Sequence, residues 1–431
     1  MSTAGLGSRR AALRVLAQVR EGRPYEAALD RALKGLAAAD RRLAHEMAAG
    51  VLRRQGALDA RLAPLVPRGW ATVAAELKDV LRLGAFQLTA LDRVPAHAAV
   101  DTSVTLAREA GGTKAAGFVN AVLRHLGEPP APEPSATPAV RLAAAFSHPL
   151  WLVERWVARY GAEATERLLR WNDTRPRLVL QPARVGQEAL QRQWRAAGIS
   201  VEPAQYGAGL VTDRRRPQEL PGYAQGAFLV QDPAQALLAW FADLPPGATL
   251  YDASAAPGGK SIALGRGAGL VVSADVSRAR VRRLAENLRR AGSGREHAVV
   301  ADLRTPPLRP VPAVLLDAPC LGTGSFARHP DARQRVTPEA LNDLAARQRE
   351  LLRSAADHVA PGGLLLYATC SLEPEENEQQ IERLLAERPD FAREPSETFP
   401  TALLSPEGDL MILPHRDQMD GAYAARLRRR T

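Results

Sequence analysis

Residues 248–275, ATLYDASAAPGGKSIALGRGAGLVVSAD, decide the fold. Ala248–Asp252 is an apolar run closed by an acid, which predicts a strand. A Gly-rich turn and a short helix follow, and Leu270–Ala274 is a second strand that runs into Asp275. Strand, helix and parallel strand make one unit of a doubly wound sheet. The turn is not G-x-G-x-x-G, and it misses G-x-x-x-x-G-K-[ST] because Ser254 stands at the first Gly. Neither dinucleotide nor triphosphate recognition follows. Paired glycines instead let backbone N–H groups approach a ligand, and the helix start behind them attracts an anionic group such as a carboxylate.

Working outward, the alternation continues to the end of the chain. Helix Ser277–Ala291 leads to strand Ala298–Ala301. Strand Ala313–Leu316 precedes a long helix, Pro338–Val359. A fifth strand begins at Leu364, just past a turn at Gly362 and Gly363. Helix Glu373–Glu387 and strands Leu410–Leu413 and Ala422–Leu427 close the chain. Acids stand at strand ends. Asp275 is placed to accept both hydroxyls of a ribose, Asp302 lies near where an adenine would sit, and Asp317 ends the fourth strand. Each alone is more often a turn residue; with the Gly-rich turn they read as a nucleoside cofactor site.

The chain has two cysteines, and both fall where a strand runs out: Cys320 in LLDAPCLGTG and Cys370 in LLLYATCSLEPEE. A free cysteine is usually a small buried hydrophobe. Two at the carboxyl edge of a parallel sheet, where such sheets bind ligands, point to chemistry. Spacing alone does not say which thiol attacks. Lys260 adds to the signal, because only four of the 57 basic residues are Lys and it is the one beyond Lys114. A compact ammonium and a planar guanidinium are not interchangeable at a tight site.

Ahead of this region, residues 1–127 read as a helical bundle. Apolar 3–4 spacing recurs in a segment capped by Ser8 and in Ala27–Leu36, Arg41–Leu52, Leu77–Leu91, Ala98–Ala110 and Ala116–Leu126. Residues 1–130 hold 19 basic and 12 acidic residues, so most of the net charge of +10 sits there. That pattern is either a solvated basic face or a docking surface for RNA or protein. Glu128–Pro138 is a Pro-rich linker. Residues 140–225 mix helices at His148–Tyr160, Ala162–Trp171 and Gly186–Ala197 with short strands, a small α+β domain; residues 226–431 form the α/β domain. No apolar run spans a membrane and no signal core opens the chain. Two cysteines make no disulfide framework, so a cytoplasmic protein is expected. Eight scattered histidines show no metal-ligand spacing.

The stretches DASAAPGGKS, DAPCLGTGSFARHPD, YATCSLEPEENE and LPHRDQMDGAYAARL resemble the motifs of the RNA cytosine-C5 methyltransferases, which use S-adenosylmethionine. RLGAFQL, VPAHAAVDTSVTLA and FVNAVLRHL resemble the NusB-like domain of the RsmB (Sun/Fmu) branch, which methylates 16S ribosomal RNA. The resemblance implies an all-α NusB-like bundle, a small α+β domain and a Rossmann-like methyltransferase domain in one chain. It implies Cys370 as nucleophile and Cys320 as the thiol that helps remove the C5 proton and release product. Ser254, Ala255, Ala256, Pro257, Gly258, Gly259 and Lys260 would hold the methionine end of the cofactor. Asp275 would bind the ribose, Asp302 would lie beside the adenine, and Asp317, with Lys260 nearby, would face the cofactor and the cytosine amino edge. The implied target is cytosine 967 of 16S rRNA; partners would be RNA, without DNA or membrane, and the protein a monomer. Departures from the family pattern are Ser254 where many members have Cys, Gly421-Ala422-Tyr423 in a less aromatic closing motif, and Pro233 after Asp232. Alternatives are the same chemistry on transfer RNA, or an RNA-binding assembly factor without activity.

The chemistry demanded is specific. C5 of cytosine is a poor nucleophile until a thiolate adds at C6, so the reaction needs an ionised thiol, an acid at N3 and a base for the C5 proton. A free thiol near pKa ~8.5 is only about 3% ionised at pH 7. Neighbouring positive charge or strand-end N–H groups are expected to lower Cys370.

Overall fold

The computed structural model describes residues 5–127, 136–213, 216–306 and 308–431. The chain divides into two compact units. One is Met1–Thr174 with Phe326–Arg335; the other is Arg175–Ser325 with Val336–Thr431.

The first unit is helical among its described residues: α1 (Leu6–Arg20), α2 (Tyr25–Ala32), α3 (Ala38–Arg53), α4 (Gln55–Leu62), α5 (Ala75–Ala90), α6 (Ala96–Arg124), α7 (Pro138–Phe146), α8 (Leu150–Tyr160) and α9 (Ala162–Asp173). The 3–4 spacing works as expected in α1, where Ala11, Ala12, Val15, Leu16 and Val19 are buried. Ser8 is not the cap. It lies inside the first turn with its hydroxyl donating to Gly5 O at 2.8 Å, and Gly5 starts the helix from a left-handed conformation. The two segments expected at 98–110 and 116–126 run on as α6, broken in backbone angle at Gly111 and Gly112. Residues 128–135 of the expected linker lie outside the described residues. Its last residues open α7: Thr137 accepts from Val140 N and Pro138 takes the first helical position.

Ten residues from the α/β half of the sequence complete this unit. Phe326 packs against His148 and Trp156 with ring centroids 5.9 and 6.3 Å apart. The buried Arg333 guanidinium donates to Asp173 Oδ1 at 2.8 Å, to Arg53 O at 3.1 Å and to Asn172 O. Arg53 in turn donates to Ala327 O at 3.0 Å.

The second unit opens with β1 (Leu178–Pro182), α10 (Gln187–Ala196), β2 (Glu202–Pro203), β3 (Leu210–Thr212) and β4 (Phe228–Val230). These strands form an antiparallel sheet in the order β2-β3-β1-β4. Trp194 from α10 is fully buried against Phe228, edge to face at 5.1 Å. Then come α11 (Pro233–Ala242), β5 (Thr249–Asp252), α12 (Gly259–Gly265), β6 (Leu270–Asp275), α13 (Arg278–Ala291), β7 (Glu296–Val300), β8 (Val311–Asp317), α14 (Pro338–Asp357), β9 (Val359–Thr369), α15 (Glu378–Glu387), β10 (Phe391–Arg393), β11 (Leu410–Ile412), α16 (Pro414–Asp417) and β12 (Ala422–Arg429).

The second sheet runs β10-β12-β9-β8-β5-β6-β7, with β11 also on β12. Strands β5 to β9 pair parallel with one another, while β12 pairs antiparallel with β9, β10 and β11. β5 is flanked by β6 on one side and β8 on the other, so the strand order reverses there. A crevice outside the carboxyl ends of the strands is expected at such a point. The acids Asp252, Asp275 and Asp317 stand at the tips of β5, β6 and β8. Pro233, unusual at its position, is the first residue of α11, and Asp232 caps that helix by accepting from Ala234 N at 2.9 Å.

Two differences from the expected element boundaries bear on the site. β9 begins at Val359, not Leu364, and the glycine pair lies inside it. The register jumps from Val311↔Val359 to Ala313↔Leu364, and a Cβ on Gly363 would stand 2.7 Å from Ala360 O and 2.9 Å from Pro312 O. The glycines therefore serve a bulge, not a turn. The helix expected from Glu373 starts at Glu378, after hydrogen-bonded turns over 373–377.

Candidate active site

Adjacent parallel strands in register bring the two thiols together. Asp317 on β8 pairs with Ala368 on β9, so the chain segments leaving these strands diverge from one edge. Cys320 Sγ and Cys370 Sγ lie 3.4 Å apart, both partly buried and neither in a disulfide. Their titration splits. The hydrogen bond from Cys320 holds the Cys370 thiol below its ordinary range, with Lys260 assisting against burial and Asp317. The same hydrogen bond, with burial, pushes Cys320 well up. Of the two sulfurs Cys370 is therefore the one that ionises more readily, with Cys320 in place to donate to it. Positive charge or strand-end N–H groups were the expected causes; the hydrogen bond from the second thiol is the largest.

Lys260 Nζ donates to Asp317 Oδ2 at 2.7 Å. Burial is the largest single influence and works against the ammonium, yet Asp317, with Cys370 and Asp252, together outweigh it and raise Lys260 above its ordinary range. Beneath this pair the buried Asp252 accepts from Ser261 Oγ at 2.6 Å, and burial pushes its carboxyl up to about 6.

A cavity of about 300 Å³ opens beside the thiols. Ser254, Asp275, Asp302, Asp317, Cys320 and Cys370 are in its wall, together with Val276, Leu303, Pro319 and Leu351. Asp275 is buried; its Oδ1 accepts from Ser277 N at 3.0 Å, while among the described residues Oδ2 has no hydrogen-bond donor and only Arg280 in ion-pair range at 3.2 Å. A buried oxygen of this kind demands a partner, and a ligand with vicinal hydroxyls meets that demand. Asp302 is bound by the side chain and backbone of Arg304, which hold it at about 2. The apolar side chains suit a planar base and the acids suit a ribose, so the wall fits an adenosyl group. Of the expected loop, Ser254 reaches the cavity. Ala255 and Ala256 pack with Ile262, Leu284 and Leu288. Gly258 takes a left-handed φ of +109°, and a Cβ there would stand 2.8 Å from Leu284; Pro257 follows a cis peptide bond. Gly259 begins α12, with Lys260 next to it.

Sequence reasoning marked Asp252 only as a strand end and did not single out Glu376 or Gln348. Glu376 lies in the acidic run PEENE, which reads as an exposed helix start, yet it is fully buried. Gln348 carries no sequence signal beyond its place on the inner face of α14, where it too is fully buried.

The chain matches the model of the 16S rRNA methyltransferase RsmB/F family over residues 240–428, the NusB family over 7–128, and the ferredoxin-like domain of RsmF/B-like methyltransferases over 148–217. It is 33% identical to the probable ribosomal RNA small subunit methyltransferase B of Synechocystis, over 98% of this chain and all of that one. It is 34% identical to the ribosomal RNA small subunit methyltransferase B of Pseudomonas putida, over 98% of each. Among solved structures, that of PH0851 superposes with a TM-score of 0.83 at 25% identity and covers 99% of both chains.

Proposed function

The chain belongs to the RsmB family of S-adenosylmethionine-dependent ribosomal RNA methyltransferases, and on that premise we propose that it methylates C5 of one cytidine in 16S rRNA, cytosine 967, through a covalent Cys370–C6 adduct. The observation that carries this reading is the 3.4 Å approach of a donor thiol to an acidified one beside the cavity.

Each step follows from a group in place. Cys370 Sγ adds to C6; the C5=C6 π electrons move into the ring toward N3, where the developing charge accepts a hydrogen bond from the Lys260 ammonium beside Asp317, and no proton is left on the ring. The bound cofactor supplies an electrophilic methyl group on a sulfonium. C5, now nucleophilic, would take that methyl with the neutral thioether as leaving group, and would then carry both the methyl and its original hydrogen. Alkylation of Cys370 removes the hydrogen bond that is the main cause of Cys320's raised pKa, and the Cys370 charge with it. Cys320 then loses its proton to water, takes the C5 hydrogen as a base, and the C5=C6 bond reforms as Cys370 leaves. Lys260 holds one oxygen of Asp317 throughout, which fixes that carboxylate's direction. The wall built from Ser254, Asp275 and Asp302 would hold the adenosyl group, with Ala255–Lys260 shaping the turn behind it.

Reading C5 out of a duplex is impossible without exposing the base, so a single-stranded or flipped cytidine is the substrate form. The NusB-like bundle is assigned to RNA docking on its basic balance, and two free thiols suit a reducing cytoplasm. A monomer without DNA or membrane partners completes the reading. Bisulfite mapping of RNA from a strain lacking the gene tests it. One 16S cytidine should lose its mark; loss of a transfer RNA mark instead, or of none, overturns it.

A further inference from the structure

We propose that Glu376 and Gln348 are a positioning pair that holds the Cys320 loop against Cys370 and so sets the thiol-to-thiol contact. The proposal rests on the reading of Cys370 as nucleophile. Glu376 Oε1 accepts from Leu321 N at 3.0 Å and from Gln348 Nε2 at 3.0 Å, and Oε2 also faces Leu321 N at 3.3 Å. Gln348 Nε2 donates as well to Pro319 O at 2.8 Å. Pro319 and Leu321 are the two neighbours of Cys320 in sequence. One buried pair therefore grips the backbone on both sides of that cysteine.

The grip is anchored on the strand that presents Cys370. Tyr367, on β9, donates its hydroxyl to Glu376 O at 2.6 Å. Further along the loop, Gly324 N donates to Cys370 O at 2.9 Å and Leu372 N to Thr323 Oγ1 at 2.8 Å. Those bonds hold residues 323–324; only Glu376 and Gln348 among the described side chains hold 319 and 321. A carboxylate is a costly acceptor in this place, since burial pushes Glu376 up to about 7. When ionised it also adds, as a minor cause beside the Cys370 hydrogen bond and burial, to the rise of the Cys320 thiol.

The test uses the full-length protein and the variants Glu376→Ala, Glu376→Gln, Gln348→Ala and Cys320→Ala. The first readout needs no RNA: the pH profile of iodoacetamide alkylation at Cys370, followed by peptide mass spectrometry. The other groups acting on Cys370, namely Asp317, Lys260 and Asp420, are unchanged in all four. Glu376→Ala and Gln348→Ala should move the midpoint upward, toward that of Cys320→Ala, with alkylation at pH 7 slowed by up to about tenfold per pH unit moved. Glu376→Gln keeps an acceptor for Leu321 N–H and should fall nearer wild type. Should Glu376→Ala melt before assay, Gln348→Ala carries the comparison. Folded variants with a wild-type midpoint would overturn the proposal, because a merely structural role leaves thiol ionisation alone. The second readout is SDS-resistant RNA adduct, which should build up in Glu376→Ala as in Cys320→Ala. Shifted midpoints with no adduct in any variant would leave the positioning role standing and remove the cytosine reading instead.

Discussion

Replacing Cys320 with Ala tests the electrostatics of the site most directly. The substitution removes the thiol that donates to Cys370 across 3.4 Å and leaves Lys260 and Asp317 in place. A hydrogen bond to a charged group is worth about 1.5–3 kcal/mol, and a thiol is a weak donor, so ~1.5 kcal/mol is the appropriate figure. That converts to a rise of about one pKa unit in Cys370. The sign follows from the wild-type state: a thiol held below its ordinary range loses its largest support, so its midpoint moves to higher pH. Below that midpoint the ionised fraction, and with it the alkylation rate at Cys370, falls about tenfold. With RNA and cofactor present, the first methyl transfer should slow by a similar factor. Turnover should fall much further, because the base for C5 is gone and SDS-resistant adduct accumulates. An alkylation profile that superposes on wild type would refute the assigned hydrogen bond, and equal turnover without adduct would refute the division of labour between the thiols.

Other outcomes follow from the same geometry. Asp275→Ala removes the buried acceptor from the cavity wall and should weaken cofactor binding about 10- to 100-fold, the equivalent of ~1.5–3 kcal/mol, by titration calorimetry; an unchanged affinity would place the ribose elsewhere. Glu376 binds its proton more tightly when folded, at about 7 against 4.5, so its stabilising effect is complete below pH 4.5 and is lost as pH rises through about 7. Glu376→Gln does not titrate, so its melting temperature relative to wild type should climb between pH 5 and 8, by the equivalent of up to about 3 kcal/mol; a constant difference contradicts the burial argument. Arg333→Met strands the Asp173 carboxylate and two carbonyls, and should cost about 3–5 kcal/mol, seen as a melting transition lowered by roughly 10 °C.

What the sequence revealed was whatever depends on neighbours in the chain. Apolar runs ending in Asp252, Asp275 and Asp317 were recognisable as strands with their acids at one edge, because each signal is local. The two thiols stood out by rarity and by their place after strands. What stayed hidden depends on contacts distant in sequence. Glu376 looks solvated in PEENE, and only the approach of Leu321 and Gln348 makes its burial tolerable. Gly362 and Gly363 look like a turn unless the register slip against β8 is known. Thr137-Pro138 carried a helix-start signal that the surrounding prolines masked, although Thr-Pro at cap and first position is a recognised opening.

Arg333 has a consequence for the order of synthesis. The helical unit ends its first stretch at Thr174 but takes its last ten residues from 326–335. A ribosome adding about 5–20 residues per second spends roughly 8 to 32 seconds between those points. For that interval the nascent bundle carries Asp173 and the Asn172 and Arg53 carbonyls facing a site whose guanidinium has not yet been translated. Anything that guards the growing chain has the longest time to act on this protein there, at the seam awaiting a single arginine.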